Sequence, residues 1–244
     1  MRPSHLVWAI VLTVAGVVAV SALVPLAGVW LASSVLDRVA PGAVSRTGEA
    51  KRSMAPGELA TLTKGGGWRV LATDPPVGGF TDFDPVASLP WAIAIGRAWA
   101  SDAVVTRVDV GRVAATGAVD LSGEQSSGYR FASPGRHRQW ITETDTGGRP
   151  VTATGLMVQI TATEVRALPY EERVEPGAPA PVSLPLAEIL ERARRNPAFA
   201  DKPYYAGYLI HLPREGWVWY FRAISGTSGY PRVRARDGRT YPYR

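Results

Sequence analysis

The residues best suited to chemistry in this 244-residue chain are few and scattered. Its three histidines are His5, His137 and His211, and no two share the spacing of metal ligands. His137 is flanked by Arg136 and Arg138, whose charges oppose a divalent cation, and His211 sits in a strand-like stretch. With no cysteine, thiolate metal sites, thiol catalysis and disulfides are excluded. No Gly-x-Ser-x-Gly elbow singles out a nucleophilic serine. Three acidic groupings could move protons or hold a cation: Asp82 with Asp84, Glu143 with Asp145, and Glu171 with Glu172. Each also has an ordinary use in caps, turns or solvated faces. The triple glycine Gly65–Gly67 lacks the Gly-Lys-Ser/Thr of a phosphate loop and precedes a strand, so it reads as a turn. No cofactor and no metal site is expected.

Binding is better supported than catalysis. Arginine supplies nearly all the positive charge, with lysine only at 51, 64 and 202, a bias typical of GC-rich bacterial coding. From Lys202 onward, eight cations face two acids, which accounts for the whole net charge of +6. Arg232, Arg234 and Arg236 alternate with Val233 and Ala235, so an extended strand would place the three guanidinium groups on one face. Tyr230 lies beside them. Such a stripe can grip carboxylate or phosphate groups bidentately. Its ordinary use is a solvated strand that discourages edge pairing. Trp217 and Trp219 share parity with Phe221 and form either a ligand platform or the packed face of a hairpin.

The elements that must position these groups follow from patterning. Ser88–Trp99 aligns with Ser183–Arg194 as an internal repeat, each stretch reading as a helix entered through Ser and Pro. Leu186, Ile189, Leu190 and Ala193 then give one apolar face. Strands are expected at 68–73, 104–110, 118–121, 129–132, 139–144, 156–166, 204–212, 217–224 and 231–236. The expected fold class is α+β: two related units, 58–175 and 182–244, each a helix packed on an antiparallel sheet, joined by a linker at 176–181.

Before these units, residues 6–36 carry no charge, long enough to cross a bilayer as a helix, with Trp8 and Trp30 near its ends. Residues 1–36 are therefore read as an N-terminal transmembrane anchor and 37–57 as a juxtamembrane linker. A signal peptide cleaved after Ala22, with Val20 at the −3 position, is the rival reading. The cations at 38, 46, 51 and 52 argue for a cytoplasmic domain, whereas the long hydrophilic tail argues for translocation; an extracytoplasmic (periplasmic) placement is preferred.

Helix 184–195, the aromatic stretch Trp217–Phe221 and the segment Val233–Arg239 together resemble a PepSY-type module. That resemblance implies a non-catalytic, extracytoplasmic regulatory or inhibitory unit. The expected function is a single-pass membrane-anchored adaptor, sensor or regulator, bound to an envelope protein or an anionic surface, with nucleic acid not favoured. The alternatives are an envelope hydrolase using Asp82, Asp84 or Glu143, and direct binding of an anionic polymer through the Arg stripe.

Overall fold

The computed structural model describes residues 53–122, 126–147, 149–172, 178–197, 200, 204–224 and 231–241. The expected anchor, most of the linker 37–57, and Tyr230 lie outside the described residues. Among the described residues, no helix is long and apolar enough to cross a membrane.

A short 3-10 helix, Pro56–Thr61, opens the described chain and leads to β1 (Arg69–Val70) and α1 (Leu89–Trp99). Then follow β2 (Val104–Ala114), β3 (Ser127–Ala132), α2 (Pro134–Asp145), β4 (Gly155–Ile160) and β5 (Val165–Tyr170). The second half contributes α3 (Leu186–Arg194), β6 (Tyr204–Leu212), β7 (Gly216–Ala223), β8 (Arg232–Arg234) and β9 (Thr240–Tyr241). All nine strands belong to one sheet in the order β1-β5-β4-β3-β2-β6-β7-β8-β9, and every paired strand is antiparallel.

The architecture is therefore α+β with a large antiparallel sheet, and the two expected sheets are one. They join where β2 pairs with β6, Val108 opposite Leu209. Outward from that junction the order repeats: β3, β4 and β5 on one side, β7, β8 and β9 on the other. The repeated helices α1 and α3 each precede the junction strand of their own half. The two halves meet edge to edge, which removes an exposed edge from each.

Three expected strands take other forms. Residues 139–144 lie in α2 and not in a strand. The β-branched run Ile141, Thr142, Thr144 suggests extension, but the start signals prevail: Pro134 sits in the first turn and Ser133 Oγ accepts the Arg136 amide N–H at 3.1 Å. The hydroxyls of Thr142 and Thr144 bond back to the carbonyls of Arg138 and Trp140, at 3.1 and 2.8 Å, which lets them sit within a helix. The stretch 156–166 is a hairpin and not one strand, because Thr161 Oγ1 accepts the Glu164 amide at 3.1 Å and closes a turn. Of 118–121, Val119 makes only an isolated bridge to Val113.

The core lies on one face of the sheet, beneath α1 and α3. Ladder register lines up Ala167, Val158, Tyr129, Val108, Leu209, Trp219 and Val233 across seven strands, all 1% exposed or less. In α3 the four positions of the expected apolar face are its buried residues. In α1, Gly96 permits close approach, since a Cβ there would stand 2.6 Å from the Phe131 ring. Tyr129 donates its hydroxyl to the Pro85 carbonyl at 2.8 Å, and burial pushes its phenol pKa up.

Trp219 stacks on Phe221 at 5.6 Å and donates its indole N–H to Ser183 Oγ at 3.0 Å. Replacing Trp219 with Ala is expected to cost ~3–5 kcal/mol of stability, read as a lower urea midpoint at unchanged slope. A loss below ~1 kcal/mol would place the indole outside the core.

Candidate functional site

The opposite face of the sheet carries the residues able to recognise a partner. Side chains alternate along a strand, so the positions between the core rows form rows of their own. One runs Arg166, Gln159, Gly128, Asp109, Tyr208, Tyr220, Arg232 and Tyr241 across eight strands. The next runs Leu168, Met157, Arg130, Arg107, Ile210, Val218 and Arg234. Most of these side chains are half-buried.

Arginine and tyrosine interleave on this face. The Arg107 guanidinium sits 4.1 Å from the Tyr208 ring centre, and Tyr208 stacks on Tyr220 at 5.1 Å. Arg232 lies 5.5 Å from the Tyr241 ring and Arg112 lies 3.9 Å from Tyr204. Such cation–π contacts hold guanidinium planes flat against the sheet while their edge donors stay available. Asp109 takes hydrogen bonds from Arg107 at 2.6 Å and Arg130 at 3.0 Å, so one carboxylate serves two cations. Arg222 is exposed and has no ion-pair partner among the described residues. Arg232 reaches Glu215 only at 4.0 Å.

The stripe expected at 232–236 is interrupted. Arg232 and Arg234 do share a face, but β8 ends at Arg234 and Arg236 falls in the following turn, exposed. Asp237 in that turn accepts from Arg234 Nε at 2.9 Å and also pairs with its terminal nitrogen. That bond raises the Arg234 pKa and, seen from the other partner, lowers that of Asp237. Arg234 is thus committed to closing the β8–β9 turn, while Arg232 keeps free donors. Trp217 and Trp219, at 6% and 0% exposure, pack in the core with Phe221. The Trp217 indole also donates to the Pro179 carbonyl at 3.0 Å, pinning the linker to the sheet.

Two of the acids considered for proton transfer, Asp84 and Glu143, are occupied by local structure. Asp84 Oδ1 accepts the amides of Val86 and Ala87 at 2.8 and 3.0 Å, shaping the entry to α1. Asp82 is exposed. Glu143 and Asp145 lie on a helix and not on one strand face, two residues apart and so pointing in different directions. Glu143 holds Thr152 through its hydroxyl and amide, and the Val151 amide at 3.0 Å. The Thr152 hydroxyl bond chiefly depresses the Glu143 pKa, the opposite of what a general acid near neutral pH requires. Among the described residues no group of three or more His, Asp or Glu is placed to hold a metal ion.

Sequence reasoning singled out Arg232 on this face but passed over Arg107, Asp109, Arg130, Tyr208 and Tyr220. Their signal was parity: 107 and 109 alternate with Val108, and 208 and 220 alternate with Leu209 and Trp219. What parity alone withholds is the β2–β6 pairing that sets the two halves side by side. Neither a family model, a curated protein nor a solved structure matches the chain.

The depressed carboxylates fix the sign of the acid response. Groups with lowered folded pKa, here Glu143, Asp237 and Asp120, stabilise the fold above their unfolded pKa. That contribution is lost as pH falls through their folded values, roughly below pH 4. Glu143→Gln is expected to flatten the pH dependence of the thermal midpoint in this range. A slope identical to that of the unmodified protein would remove Glu143 from the linkage.

Proposed function

We propose that the chain is a single-pass, membrane-anchored, non-catalytic binding module, with residues 6–36 as the anchor and the β-rich region facing outward from the cytoplasm. The observation that carries the binding role is the row Tyr208, Tyr220, Arg232 and Tyr241, joined across β6, β7, β8 and β9 by the ladder register and flanked by Arg107 of β2 over the Tyr208 ring. It combines flat aromatic area, which binds at low entropic cost, with guanidinium donors suited to carboxylates. A protein surface rich in Asp and Glu is the partner this chemistry fits, in the manner of an adaptor, sensor or regulator of an envelope protein. The succession of α3, the aromatic hairpin β6–β7 and β8 supports the comparison with PepSY-type modules.

Placement is tested by fusing alkaline phosphatase after Arg244. An active fusion is expected; a stable but inactive one would put the sheet in the cytoplasm. The surface is tested by placing a photo-crosslinking amino acid at Tyr208 or Tyr220 in intact cells, with exposed Gln139 on α2 as the control position. The same membrane-protein product is expected from 208 and 220, reduced at least about fivefold by Arg222→Glu with Arg232→Glu. Equal labelling from 139, or a product insensitive to charge reversal, would contradict the assignment.

A further inference from the structure

The two halves of the sheet are not finished alike. In the first half, the 3-10 helix packs on α1 and buries Leu59 and Leu62. In the second, α3 has no counterpart of that cover among the described residues. There, an open recess of about 360 Å³ lies between the C-terminal turn of α3 and the strands β8 and β9. Arg192, Arg195, Asn196, Arg232, Thr240 and Tyr241 line it, and among the described residues no carboxylate does. An apolar plug in one copy is thus matched by a polar, cationic opening in the other.

The pairing of these arginines leaves binding capacity. Arg192 gives one terminal nitrogen to Glu188 at 2.6 Å, and its Nε is buried beside Gly238. The Arg195–Glu191 pair is 3.3 Å long with side chains 68% and 70% exposed, which makes it a weak, water-screened contact. The Arg232–Glu215 contact stands at 4.0 Å. The carbonyl end of α3 carries partial negative charge, which one cation offsets; three guanidinium groups exceed that need. Arginines that line one recess with hydroxyl groups beside them make a donor set that tetrahedral oxyanions accept.

We propose that this recess binds a phosphate group, borne by a small phosphate or by a phospholipid headgroup. The assignment shares Arg232 with the sheet face but does not depend on the partner proposed there, and Thr240→Asp separates the two. It is tested on the full chain in a non-ionic detergent by calorimetric titration with inorganic phosphate, ionic strength being held with chloride. A saturable one-site heat is expected, weakened roughly tenfold or more by Arg195→Gln with Arg232→Gln. It should be unchanged by Arg97→Gln, the exposed counterpart of Arg192 in α1. Thr240→Asp, which sets a carboxylate in the recess from an exposed position, should abolish the heat without removing any arginine. Heat that fails to saturate, or that falls equally in the Arg97 variant, would overturn the site. Competition by phosphatidylglycerol vesicles and not by phosphatidylcholine vesicles would identify a lipid phosphate as the ligand. Binding that survives both would identify a free phosphate.

Discussion

The antiparallel pairing of β2 with β6 is the constraint on which the rest of the structure depends. Each half alone would be a four- or five-stranded sheet with a long exposed edge, β2 in one case and β6 in the other. Joined, the two edges satisfy each other's amides and carbonyls, and both apolar faces become one core. Strand β2 carries two irregularities, between Val105 and Arg107 in its pairing with β3 and between Val110 and Val113 in its pairing with β6. Bulges of this kind increase local twist, and they fall at opposite ends of the long strand that both halves share.

That same register produces the chemistry of the other face. A row of core residues fixes, by alternation alone, the row of residues that must point away. Because Val108, Leu209 and Trp219 face the helices, Asp109, Tyr208 and Tyr220 must face the opposite side. The tyrosines and arginines cover one another's apolar area while keeping hydroxyl and guanidinium donors at the surface, which is how long amphipathic side chains lie on a sheet. The polar face is therefore built on fully paired strands, a backbone that recognition need not reorder.

The sequence made the parts legible better than their assembly. The repeat at 88–99 and 183–194 located both principal helices, and the i, i+3, i+4, i+7 spacing of Leu186, Ile189, Leu190 and Ala193 located the buried stripe. The strands at 104–110, 129–132, 204–212 and 217–224 were readable from alternation and turn residues. Residues 139–144 misled because threonine favours strands, whereas Ser133, Pro134 and the Asp102 carboxylate that receives the Ser133 hydroxyl decide for a helix. The stripe at 232–236 misled because Asp237 bends the chain one turn early and claims Arg234. The central pairing of β2 with β6 was not legible at all: it joins segments about a hundred residues apart through backbone groups, which carry no residue-specific signature.

Hydrogen exchange of the full chain tests the joined sheet most directly. The amides of Val108 and Val110 in β2 and of Gly207 and Leu209 in β6 are expected to be among the slowest in the protein. They should exchange with one common free energy, equal to that of global unfolding. Exchange of β6, β7 and β8 through an opening that leaves β2 to β5 protected would show two separately stable halves and contradict the single sheet.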